Sequence, residues 1–183
     1  MEVGFKYNEP RKDNPVYIEQ VFAEKPGGGI VANPSFDVPP TTAVGEVDGK
    51  LKVIKAYRVV EAVGSSDTSF KIAKGSGIER GDVIGVGSKG VASTKVDTTT
   101  SEDYDVVTAT LGVAVAAGTV LYQALSAGDS AKPIATPKYV TGNWIYANEG
   151  DQRVRLINGA NLRKETANIA SEVAVLLPTI QLV

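Results

Sequence analysis

The residues that most invite a chemical reading are Gly85-Val86-Gly87-Ser88-Lys89-Gly90, which spell G-x-G-x-x-G, the fingerprint of a dinucleotide-binding turn. Acidic residues follow at Glu102, Asp103 and Asp105, close to where a ribose-binding carboxylate would sit. The fingerprint works only where a strand enters it and a helix leaves it, so that the pyrophosphate rests on the helix N-terminus. Asp82-Val83-Ile84 can supply the strand. The exit, VASTKVDTTTSEDYD, is rich in β-branched and turn residues and is a poor helix. A Walker A loop is also excluded, because no G-K-[ST] occurs. The glycines at 75, 77, 81, 85, 87 and 90 read better as turns and bulges between short strands.

The remaining chemistry is sparse. The chain has no histidine and no cysteine, which removes imidazole-based triads, thiolate nucleophiles, disulfides and Cys/His zinc sites. Acid–base work would fall to carboxylates, lysine or tyrosine. Glu102, Asp103 and Asp105 are oxygen ligands of the kind calcium takes, but they lack the spacing and the glycine of an EF-hand loop, and a solvated acidic loop is the plainer reading. Ser65-Ser66-Asp67 and Thr98-Thr99-Thr100-Ser101 are hydroxyl-rich without a base beside them. No pair of carboxylates stands out for glycoside hydrolysis. The expectation is a protein that is not an enzyme and uses no cofactor or metal.

The elements that must position these residues are mostly strands. KLKVIKAYRVVEAV, from Lys50, is rich in β-branched residues and ends at the turn cluster Gly64-Ser65-Ser66-Asp67. TSFKIAK, Asp82-Val83-Ile84 and Val91–Val96 read as further strands. Val106–Gly128 is uncharged and long enough to span a bilayer, yet three glycines, four hydroxyl residues and a glutamine interrupt it. It reads as buried strands with a turn at Ala117-Gly118-Thr119. Trp144 and Tyr146 alternate with Ile145 and Ala147, and residues 152–157 alternate up to a turn at Asn158-Gly159. One helix is expected within NLRKETANIASEVAVLLP, where Ile169, Val173, Leu176 and Leu177 fall at helical spacing and Pro178 ends it, followed by a terminal strand. The fold class is therefore mainly β, a small β-barrel or sandwich with one short C-terminal helix and an extended N-terminal arm.

The expected division is 1–49 as a Pro/Gly-rich arm and 50–183 as a β-rich domain. The arm holds six of the nine prolines and four basic against eight acidic residues. Its start is charged and proline-broken, unlike a secretory signal. Five aromatics, Phe5, Tyr7, Tyr17, Phe22 and Phe36, exceed what a linker needs and argue for an arm laid on its own domain or on a partner. A net charge of −2 gives no case for nucleic acid or an anionic membrane as partner.

The closing segment, WIYANEGDQRVRLINGANLRKETANIASEVAVLLPTIQLV, resembles that of tailed-phage head decoration and head fibre proteins. There a strand and an I-N-G-A-N-L-R-type turn lead to a short helix, a leucine-proline-isoleucine phrase and a final strand. GSGIERGDVIGVGSKGVAS and TATLGVAVAAGTVLYQALSAG resemble their glycine-punctuated strands. The resemblance implies a structural protein on the virion surface, made in the bacterial cytoplasm. Its partners would be the major capsid protein and copies of itself, as a trimer, with Phe5, Tyr7, Tyr17 and Phe22 of the arm as capsid anchors. The alternative is a carbohydrate-binding or adhesive β-module, with Trp144, Tyr146 and Tyr139 as a platform for sugar rings.

Overall fold

The computed structural model describes residues 16–183. In chain order the strands are β1 (Ile18–Glu24), β2 (Gly29–Val31), β3 (Ala43–Val47), β4 (Lys50–Val53), β5 (Ala56–Arg58), β6 (Ser69–Ala73), β7 (Val83–Val86), β8 (Lys89–Ala92), β9 (Lys95–Asp97), β10 (Tyr104–Thr108), β11 (Val120–Ala124), β12 (Pro137–Thr141), β13 (Gln152–Val154) and β14 (Leu156–Leu162). A single helical turn, α1 (Ser171–Ala174), and a last strand, β15 (Ile180–Leu182), complete the chain.

A six-stranded sheet runs β1-β14-β12-β3-β4, with β15 parallel to the far half of β14. A second sheet runs β5-β11-β7-β8, a third β6-β10-β9, and β2 pairs with β13. The sheets do not close into a barrel; they pack as layers in the manner of a sandwich.

The middle layer explains the uncharged run. Every residue of β11 is buried. Val120, Tyr122 and Ala124 face a core shared with Ile157, Leu162, Val173 and Ile180, whereas Leu121 faces a second core with Tyr57, Phe70, Ile72 and Val107. A strand covered on both faces has no solvent side, so its sequence is uncharged and does not alternate, and its one amide, Gln123, is bonded to Asp82. Among the described residues no helix is long and apolar enough to cross a membrane. The turns at Ser65-Ser66 and Ala117-Gly118 form where expected.

Several expectations give way. The division at 49/50 falls at the tip of the β3–β4 hairpin, where Asp48 (φ 50°) and Gly49 (φ 74°) make the turn. Residues 18–24 and 29–31 are strands paired to β14 and β13, so residues 16–49 belong to the folded unit. The expected short C-terminal helix forms as the single turn Ser171–Ala174, while Asn161-Leu162, at the head of the same stretch, are drawn into β14 by pairing on both sides with β1 and β15. Asn158-Gly159 is no turn. It lies inside β14, and the break falls instead at Arg155. There the missing side chain of Gly159 admits Ala23 of β1, whose Cβ would stand 3.2 Å from a Cβ on the glycine. Val91–Val96 divides between β8 and β9 at the buried Ser93. Around Trp144 only Ile145 makes a bridge, to Val38.

Candidate functional site

The glycine fingerprint is a β-hairpin. Gly85 pairs directly with Gly90 across β7 and β8, and Gly87 (φ 55°) turns between them. The ring of Tyr122 lies over Gly85, and its hydroxyl donates to Gly87 O at 3.0 Å. Gly87 N donates to Glu172 Oε1 at 2.8 Å. Strand β8 follows, not a helix, and the space beside the motif is filled by the tyrosine. The N–H that a phosphate would use is already bonded to a carboxylate.

The acidic loop is also satisfied from within. Asp97 accepts from the backbone N–H and hydroxyls of Thr99 and Thr100, which hold its carboxyl well below the usual carboxylate range. Asp105, only 4% exposed, pairs with Lys74 Nζ at 2.9 Å. The same ammonium donates to Thr98 O and to Ser101 O. A lysine of the chain thus stands where the loop's oxygens converge. Glu102 and Asp103 are exposed. The hydroxyl cluster at Ser65-Ser66 is a turn, closed by Gly64 N donating to Asp67 Oδ2 at 2.6 Å.

A polar network at Asp82 joins the second sheet to its neighbours. Asp82 accepts from Lys55 Nζ (2.9 Å), Tyr57 OH (3.2 Å), Gln123 Nε2 (3.1 Å) and Glu79 N (3.0 Å). Burial, and then the adjacent Asp82 carboxylate, push the Tyr57 phenol far above its ordinary value. Folding therefore favours the protonated phenol. Its contribution is complete below the unfolded value of about 10 and falls as pH rises beyond it, by at most about 1.4 kcal/mol per pH unit. Urea melts between pH 9 and 11.5 should show Tyr57→Phe losing stability less steeply than the parent; identical slopes would contradict this placement of Tyr57.

The arrangement best suited to a ligand is a cavity of about 310 Å³ between the start of β1, the end of β5 and the loop after β6. That lies at the lower end of small-ligand sites, about 300–1,000 Å³. Three aromatics wall it. Tyr17 is held by its backbone, its carbonyl accepting from Arg163 N at 3.1 Å while Thr166 Oγ1 donates to Val16 O. Its ring meets Trp144 edge-on, with centroids 6.3 Å apart and planes at 84°. Trp144 is fixed by the neighbouring Ile145–Val38 bridge. Phe36 lies on Gly77 (φ 69°), where any side chain would collide with the ring.

Between the rings stand polar groups. Arg58 donates from Nη1 to Gly118 O (2.9 Å) and from Nη2 to Ala167 O (2.6 Å), and among the described residues it has no carboxylate partner. Burial lowers its pKa, partly countered by Tyr17, whose own phenol is raised by burial. Asp37 accepts from Ala147 N at 2.8 Å. Asn168 is anchored by Thr41 and Thr42. Ser76 Oγ, also at this wall, is buried with no hydrogen-bond partner among the described residues. Asp37 is the lining's one carboxylate, so paired-carboxylate hydrolysis has no second member here.

Sequence reasoning reached Trp144, Tyr17 and Phe36 as aromatics but not their convergence, and it missed Arg58, Asp37 and Ser76, which carry no local signature. Tyr146 is exposed, and Tyr139 packs on a third core beneath Lys25 Nζ, so the platform expected of Trp144, Tyr146 and Tyr139 does not form. Of the arm aromatics, Tyr17 is committed to its own domain. Phe22 stands out from β1, 58% exposed, and Phe5 and Tyr7 lie outside the described residues. Compared with known proteins, the chain matches no family model, no curated protein and no solved structure.

Proposed function

We propose that this chain is a non-catalytic structural protein of a tailed-phage head, a decoration or head fibre protein that binds the major capsid protein on the outer shell and assembles as a trimer. The observation that carries the reading is β1. Among the described residues it is an edge strand of the largest sheet, with β14 its one partner, and none of its seven residues is fully buried. An edge of this length usually recruits another chain or is blunted against it. Here Glu19 and Glu24 pair with Arg163 and Arg155, which flank the two ends of β14, and Phe22 faces outward. β1 continues directly from residues 1–15, which carry Phe5 and Tyr7. A capsid subunit added along β1 would gain main-chain hydrogen bonds, with Phe22, Phe5 and Tyr7 as apolar anchors. Binding only the assembled shell would stabilise it by mass action, and a trimer would match threefold positions and multiply weak contacts.

Residues 18–24 and 29–31 are strands of the sheets and Phe36 packs on the third core, so a test deletion must stop at residue 15. On this reading the chain lacking residues 1–15 should keep its unfolding free energy within about 0.5 kcal/mol. It should lose co-sedimentation with shells of the same phage's major capsid protein. Undiminished sedimentation of the truncated chain, or none by the full chain, would reject the reading. Light scattering on the purified chain should give the mass of three chains.

A further inference from the structure

The cavity at Tyr17, Trp144 and Phe36 goes beyond the capsid reading and stands independently of it. We infer that it is a binding site for a carboxylated sugar, of the uronic or sialic acid type. The argument starts from the guanidinium. A guanidinium carries five N–H donors. Two of those of Arg58 go to the carbonyls of Gly118 and Ala167, which fix its plane. The others face no carboxylate among the described residues. The other cation of the lining, Lys74, is already paired with Asp105. Arg58 is therefore the one cation of the lining that makes no ion pair among the described residues, partly desolvated, in a planar fork that matches a carboxylate, while the lining's carboxylate, Asp37, is bonded to Ala147 N.

One such charge suits a carboxylate better than a phosphate ester, which gathers several cations or a row of backbone N–H groups. The aromatics narrow the class further. Tyr17 and Trp144 meet at 84°, so they offer no parallel slot for a nucleobase. They do offer ring faces to the C–H side of a pyranose. The hydroxyl side of the same sugar finds the carboxylate of Asp37 and the amide of Asn168. Asp37 also repels a second negative charge. It thereby favours a sugar with one acid group and several hydroxyls over a polyanion.

Trp144 is the chain's single tryptophan and lies in the cavity wall, so it reports on its own site. The full-length protein is titrated with N-acetylneuraminic acid, glucuronic acid, glucose and N-acetylglucosamine at fixed ionic strength, following tryptophan fluorescence. At least one acidic sugar should give a saturable change, and the neutral sugars should bind at least about tenfold more weakly, the least that a charge-assisted hydrogen bond contributes. Arg58→Gln should erase that preference, and Asp37→Asn should keep it. Where Arg58→Gln fails to fold, as judged by circular dichroism, the salt series replaces it: the acid's affinity should fall with added sodium chloride while that of neutral sugars does not. No saturable change with either acid, equal binding of neutral sugars, or unaltered acid preference in folded Arg58→Gln overturns the proposal.

Discussion

Asp82→Ala is expected to destabilise the protein by about 2–4 kcal/mol, a large share of the 5–15 kcal/mol that holds a domain together. The carboxylate accepts from four donors at once: an ammonium, a phenol, an amide and a backbone N–H. Among the described residues, removing it leaves Lys55, 13% exposed, with Glu79 at 3.8 Å and the Phe36 ring at 5.7 Å, and leaves the hydroxyl of the fully buried Tyr57 with no acceptor. A buried donor stripped of its partner costs about 1–3 kcal/mol, more than a well-made hydrogen bond contributes. The network also joins the turn at Glu79–Asp82 to β5 and β11, so the loss should loosen the junction of the middle layer. In thermal unfolding the melting temperature should fall by roughly 5–15 °C. The double variant Asp82→Ala/Lys55→Met should recover part of the loss, because the orphaned charge goes too. A loss under about 1 kcal/mol for the single variant would show that water satisfies these groups and that the network is no constraint.

Gly85→Ala tests the fingerprint itself. In an ordinary strand this change is favourable by roughly 0.5–1 kcal/mol, since glycine gives up more backbone freedom on folding. Here the new Cβ would come closer than 3.0 Å to the ring carbons of Tyr122. That ring is buried, and its hydroxyl is tied to Gly87 O, so it cannot move aside without losing the bond. Overpacking of about 1–3 kcal/mol plus a hydrogen bond of about 1 kcal/mol outweighs the entropy gain, for a net loss of about 1–3 kcal/mol. Gly81→Ala is the control. No atom crowds its Cβ position, and its φ of 91° leaves backbone strain alone, about 1–2 kcal/mol. Adding Tyr122→Ala to Gly85→Ala should make the second change far less costly than in the parent, which Gly81→Ala should not share. Denaturant melts of the three single variants and the two double variants measure this. A nucleotide-binding turn would show the reverse pattern, with stability unchanged and ligand binding lost.

Much of the fold is legible in the residues, and the limits of that legibility are physical. Tyr57, Phe70, Ile72, Val107 and Leu121 announce strands because β-branched and aromatic side chains suit a half-buried pleated surface, and this is a local property. Ser65-Ser66 and Ala117-Gly118 announce turns for the same reason. The lack of histidine and cysteine excludes whole reaction classes before any folding. The exit from Gly90 rejects a nucleotide turn because VASTKVD is a poor helix wherever it sits.

What only the tertiary structure decides are the choices made by partners distant in sequence. Residues 16–49 look like an arm because prolines break every local period. Yet β1 and β2 need no period of their own when β14 and β13 supply the hydrogen bonds. Asn158-Gly159 is a turn in most settings, but here Ala23 needs the space of a missing side chain. The stretch that opens at Asn161-Leu162 reads locally as one helix, yet those two residues are held in the sheet by β1 and β15 and only Ser171–Ala174 is helical. Lys74 neutralises Asp105 across thirty residues, and Arg58 meets Tyr17 across forty. Local propensity contributes fractions of a kcal/mol per residue, while burial and completed hydrogen bonds contribute one to several, so where the two conflict the distant partner prevails.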